Sequence, residues 1–223
     1  MATPRTTYFL WLFLVVGSAL LTACTDDANL LTNEKRVQNE NDIKAYIASA
    51  GFTAQRANNG LFYRIVSPGG STQTTNLGDE IRVNFKVSRL DGFGVDSSDT
   101  DQATVAVYGL PGLGLRYLSE EAMAFLFNSI LREGDTATLL VPSHLGLGAA
   151  GSLLLPAYSP FRMDLRVLSI RNEEQQMDVF ERAFGTRTSE RTESGLRFGK
   201  VTSFPEADQV DKLNSYVVKY TGR

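Results

Sequence analysis

The residues able to do chemistry are few. Among 223 residues there is one cysteine, Cys24, and one histidine, His144. A structural metal needs several ligands that converge, and glycoside cleavage needs two carboxyl groups flanking one bond. With one His, no second Cys and no acid pair that falls into one cleft, a metal enzyme or a sugar enzyme has no supporting cluster. His144 lies in a "PSH" loop and is expected as an exposed turn residue rather than a base. That leaves Cys24. It has no partner for a disulfide within the chain, so its chemistry must follow from its position.

Cys24 stands just behind an apolar stretch. Arg5 supplies a short positive region, and "YFLWLFLVVGSAL", Tyr8 to Leu20, is 13 apolar or small residues in a row. This is too short to cross a bilayer but suits the core of a signal peptide. The next four residues, "LTAC", resemble a bacterial lipobox. The resemblance implies cleavage before Cys24 and acylation of its sulfur and new amino group. An ordinary signal peptide followed by a chance cysteine is the alternative. The expected organisation is a lipoprotein signal peptide over 1–23 and a lipid-anchored tether over 24–41. Two or more acyl chains suffice for stable anchoring. "TDD", Thr25 to Asp27, resembles the acidic export signal of surface lipoproteins in the Bacteroidetes group. The expected location is therefore the cell envelope, at the periplasmic face or surface of the outer membrane. The net charge is −3, and removal of Arg5 makes it −4 (21 basic against 25 acidic). No basic block interrupts the mixture, so a nucleic-acid partner is not expected.

The elements that must position any site follow from hydrophobic spacing. Ile43, Tyr46 and Ile47 share a helical face in Asp42–Ala50, which Gly51 ends. Leu61–Val66 reads as a strand closed by a Pro-Gly turn. Ile81, Val83, Phe85 and Val87 alternate with polar residues, the pattern of a half-buried antiparallel strand, and Asp91-Gly92 turns it. "ATVAVYG" gives another strand, then a Gly-rich loop, then a helix that Ser119 can cap and Gly134 follows. Met123, Leu126, Phe127, Ile130 and Leu131 form the core stripe of that helix. "DTATLLVP" and "FRMDLRVLSI" supply the last strands. The fold class is α+β: several antiparallel strands and one central helix.

A repeat is also visible. Gly60-Leu61 opens a strand 25 residues before Phe85, and Gly195-Leu196 stands 25 residues before Tyr220. Each pair follows a helix-like segment, Asp42–Ala50 or Gln175–Phe184. The matching register predicts a second copy over 172–223, limited to the helix and first two strands.

These motifs resemble the FKBP-type peptidyl-prolyl cis-trans isomerase family. "GDEIRVNFKVSRLDGFGVDSS" is similar to the opening of such a domain, "REGDTATLLVPSHLGLG" to its middle, and "LPAYSPFRMDLRVLSI" to its closing strand. The likeness covers about Gly60 to Ile170, inside an expected domain over 42–171. It implies an enzyme that rotates X–Pro bonds in proline-containing protein or peptide clients, needing no cofactor and no metal. Carried over residue by residue, it assigns catalytic roles to Phe85 and Asp96. It assigns client contacts to Val95, Leu147 and Met163, which stand where the family has rings, and to Phe125, beside the family's Trp position near Ala124. The pocket so drawn is apolar, poor in rings and without a phenolic donor. Two readings follow: a membrane-anchored isomerase assisting the folding of extracytoplasmic proteins, or a binding and assembly module of the envelope that keeps the fold without turnover.

Overall fold

The computed structural model describes residues 30–98, 102–110, 112–183, 190–193 and 197–198. The chain divides into two compact units, Met1–Glu173 and Glu174–Arg223. In the first, helix α1 spans 30–49 and is followed by strands β1 (Gln55–Arg56), β2 (Phe62–Ser67), β3 (Glu80–Arg89), β4 (Gly94–Ser97) and β5 (Thr104–Val107). Helix α2 (Glu120–Phe125) runs on into a π-helical turn, Leu126–Ile130, before β6 (Thr136–Val141), a 3-10 turn (Ser143–Leu145) and β7 (Phe161–Arg171). One antiparallel sheet runs β1-β2-β6-β7-β3-β4, and β5 pairs with the first half of β3. The chain is α+β, as its alternation and helical stripe predict.

The period of two in β3 drives this arrangement. Ile81, Val83, Phe85 and Val87 all turn to one face and are buried there. The same face of β7 contributes Phe161, Met163, Leu165 and Val167, and α2 with its π turn covers both using Met123, Leu126 and Phe127. Ser119 caps α2, its Oγ accepting from the Ala122 amide, and Glu120 and Glu121 sit at the positive end of the helix. The turn after the helix depends on a glycine. Gly134 has φ +87°, and a Cβ there would lie 2.8 Å from the Gly69 Cα. The buried Asp135 carboxylate fixes the same turn, accepting from the Gly69 amide (2.7 Å) and the Arg132 amide (2.8 Å).

Helix α1 packs on the opposite face, where Ile43 meets Phe62 and Leu140. Arg162, also on that side, donates to the Tyr46 hydroxyl (3.0 Å). The helix starts twelve residues before the expected Asp42, inside the segment read as a tether. The reason is a buried polar anchor. Asn39 is 1% exposed, donates to the Tyr158 carbonyl (2.9 Å) and accepts from the Ser143 amide (2.7 Å). Asn39 thus satisfies two backbone groups around the 3-10 turn and ties this part of the helix to them. His144 in that turn is half-buried rather than exposed, its Nε2 lying 3.1 Å from the Asn59 carbonyl oxygen.

In the second unit, helix α3 spans Glu173–Ala183 and is followed by the pair β8 (Glu190–Arg191) and β9 (Arg197–Phe198). Glu190 opposes Phe198 and Arg191 opposes Arg197. In the first unit Gln55 opposes Tyr63 and Arg56 opposes Phe62. Every one of these positions lies 135 residues after its counterpart (55 to 190, 63 to 198), the same offset as Gly60 to Gly195. The strand expected at Ser215–Tyr220 lies outside the described residues, as do Cys24 and the signal segment. Among the described residues no helix is long and apolar enough to cross a membrane.

Removing the Asn39 side chain leaves the buried Ser143 amide without this partner and takes one donor from the half-buried Tyr158 carbonyl. Asn39→Ala is expected to cost about 1–3 kcal/mol. Val37→Ala, at an exposed position two residues away, is expected to stay within about 0.5 kcal/mol. Chemical denaturation of the two variants checks the contrast.

Candidate functional site

Strand β3 carries Phe85 inward and hands the chain to β4, which returns with Asp96 opposite Val87. Ser98 then pins the end of β4 against β3. Its Oγ accepts from the Phe85 amide, and its own amide donates to the Phe85 carbonyl, both at 2.9 Å. These bonds hold Phe85 and Asp96 at one end of the sheet.

The segment between β5 and α2 completes the group. Tyr117 places its ring edge-on to Phe85 (centroids 6.1 Å apart) and to Phe161 (6.3 Å). Such T-shaped pairs set the positive edge of one ring against the face of the next. The backbone beside them is close enough to need glycine: a Cβ on Gly146 would fall 2.5 Å from the Phe161 ring. The Leu145 carbonyl accepts from the Ser119 amide at 2.8 Å, which ties this loop to the start of α2.

One polar corner interrupts the rings. The Arg116 guanidinium lies 5.0 Å over the Tyr117 ring. Its Nη2 donates both to the Asp96 carboxylate and to the Tyr117 hydroxyl, the latter at 3.2 Å. The Asp96 side chain is 22% exposed and that of Arg116 68%, so the pair is screened by water and contributes little to stability by itself. Its value is geometric, since it fixes an acid, a phenol and a cation at the edge of an apolar cluster. The hydrogen bond that Arg116 donates to Asp96 raises the Arg116 pKa above its ordinary value. Burial, and secondly the negative charge of Asp96, push the Tyr117 phenol up as well. It therefore stays protonated throughout the neutral range.

The structure brings together two of the expected residues, Phe85 and Asp96. Val95 and Leu147 are half-buried and pack against the same core. Met163 is fully buried, opposite Val87 on one side and Leu139 on the other, so its side chain belongs to the interior. Phe125 stands apart. Its ring is edge-on to Tyr63 at 6.1 Å, on β2, a strand separated from β3 by β6 and β7.

Arg116, Tyr117 and Phe161 were not expected at the site. Tyr117 adds a ring and a phenol to this group. The resemblance points instead to a ring position near Ala124. The signal that points correctly is the Ser119 cap: a ring just ahead of the helix must lie just before its N-cap, and Tyr117 is two residues before it.

No protein-family model and no characterised protein matches the chain in sequence. Solved structures to which it is similar include FkpA from Escherichia coli, at 21% identity over 71% of this chain and 71% of that one, with a TM-score of 0.48. A peptidyl-prolyl cis-trans isomerase from Pseudomonas syringae pv. tomato is 15% identical over 63% of this chain and 96% of its own, TM-score 0.48. AtFKBP13 is 18% identical over 52% and 98% respectively, TM-score 0.46.

The Tyr117 phenol is expected to ionise at higher pH than a free tyrosine, and Asp96→Asn is expected to bring its titration down by removing a nearby negative charge. The Tyr 13Cζ resonance followed against pH reads this directly. An unchanged titration in Asp96→Asn means that the acid and the phenol are not neighbours.

Proposed function

We propose that the first unit is an FKBP-like peptidyl-prolyl cis-trans isomerase that turns X–Pro bonds in extracytoplasmic clients. The observation that carries the reading is the Asp96–Arg116–Tyr117 corner set against the Phe85 and Phe161 rings. Rotating the amide breaks its resonance, a barrier of about 18–20 kcal/mol. No bond to the protein has to form. An apolar surface favours the twisted amide, in which charge separation is reduced, over the planar one. Hydrogen-bonding groups at its edge hold the client backbone while the proline ring lies on the aromatic side chains. Catalysis of this kind is tighter binding of the twisted form than of either planar isomer.

The alternative is a client-binding module without turnover. It is favoured by one specific observation: Phe85 is 9% exposed and Tyr117 7%, so the ring cluster presents little open surface. A proline-peptide isomerisation assay on the full chain in lipid nanodiscs separates the two. The isomerase reading predicts a rate above the uncatalysed one, with kcat/KM falling about tenfold in Asp96→Ala for one lost charge-assisted hydrogen bond. Leu147→Asp, which puts a charge beside the apolar cluster, is expected to reduce the rate as well. A folded protein that leaves the uncatalysed rate unchanged is the binding module.

Two further parts of the reading concern residues outside the site. The chain is held in the cell envelope by acyl groups on Cys24, through the "LTAC" motif. Cys24→Ser is expected to move the protein from the membrane to the soluble fraction, and a variant that stays membrane-bound removes the lipid anchor from the account. Residues 172–223 are a second copy of the helix and opening strands, supported by the common 135-residue offset. Protection of the 215–220 amides against hydrogen exchange supports this copy, and free exchange there contradicts it.

A further inference from the structure

A cavity of about 390 Å3 lies beside the polar corner. Leu77, Val107, Leu115, Leu118, Met123 and Ala124 line it, and none of Phe85, Asp96 or Tyr117 does. It is therefore a chamber separate from the ring cluster. Two more observations mark it as a place for a ligand. Leu77 is 75% exposed and Leu110, which also lines the cavity, is 46% exposed, so the mouth keeps large aliphatic surfaces in water. A concave apolar wall with an apolar rim is the form of a binding site rather than of a packing defect.

Arg116 joins the chamber to the corner. It lines the cavity while its guanidinium is bonded to Asp96 and Tyr117. The two walls are also neighbours along the chain: Leu115 faces the cavity and Tyr117 the rings, two residues on. Two residues reach at most about 7 Å, the distance that two residues of an extended client cover in the opposite strand direction. Successive side chains of an extended segment alternate, so a residue and the second one along point the same way.

We propose that this chamber is a second recognition pocket for the same client segment, taking a large aliphatic side chain two residues from the proline. The proposal rests on the isomerase reading for the place of the proline. The choice of occupant follows from the lining, whose side chains are mostly aliphatic; the exceptions are Tyr108, Arg116, which Asp96 already engages, and the exposed Glu120. An acidic side chain meets the Glu120 carboxylate, a basic one pairs with it at an exposed position and leaves the aliphatic wall unused, and an alanine leaves most of the volume empty.

The test uses fluorescein-labelled alanine peptides with one proline and one leucine, the leucine moved from three residues before the proline to three after. Anisotropy measures binding to the full chain in nanodiscs. Leucine two residues from the proline, on one side of it, is expected to bind about tenfold more tightly than alanine there, the gain from burying one such side chain. Ala124→Phe, which fills the chamber, and Leu77→Asp, which charges its exposed rim, are each expected to abolish that advantage. An affinity independent of leucine position, or an advantage that survives both variants, overturns the chamber while leaving the isomerase reading intact. The expected leucine dependence with no acceleration of isomerisation supports the chamber and overturns turnover instead.

Discussion

Strand β3 is the constraint on which the rest of the fold depends. It pairs with β7 along its whole length and with β5 and β4 along its two halves, and its inward face carries four consecutive buried side chains. A one-residue slip in its register would turn Ile81, Val83, Phe85 and Val87 toward the opposite face and Arg82, Asn84 and Lys86 toward the core. The cost of burying those polar groups is what locks the register. Because Phe85 and the bonds to Ser98 belong to this strand, the same lock sets where Asp96 stands.

The site is what happens where that apolar lattice meets water. Three rings stack edge to face at the end of the sheet, and the segment before α2 lays one cation across them and onto one acid. Each polar group at this corner is satisfied by another, so none has to be buried alone. In the isomerase reading proposed above, an incoming amide meets apolar side chains with hydrogen-bonding groups along their rim, and this suits a reaction whose transition state is less polar than its ground state. The adjoining cavity is walled mainly by aliphatic side chains, with Arg116 held by Asp96 and Glu120 exposed.

Much of this was legible in the residues. The alternation in β3 and β7, the stripe of α2 and its Ser119 cap are local patterns, and the elements formed where those patterns lie. Motif order pointed to Phe85 and Asp96, which the fold brings to the same end of the sheet. Other features depend on contacts between distant parts of the chain. Asn39 looks like one more polar residue in a tether until its partners, 104 and 119 residues away, come into place. Tyr117 lies seven residues before Ala124, the position the resemblance pointed to, and the π turn that lengthens the helix end accounts for only a small part of that offset. Phe125 is the converse case: it follows the family's ring position near Ala124, and its ring packs edge-on to Tyr63 of β2.

The central claim is that a proline segment docks where Phe85, Asp96 and Tyr117 meet. Amide chemical-shift mapping during titration with a proline-containing peptide tests it most directly. The account predicts that the largest shifts fall on Phe85, Asp96, Arg116, Tyr117 and the Gly146–Leu147 loop. Saturable binding with shifts confined to other parts of the sheet, and none at these residues, would contradict it.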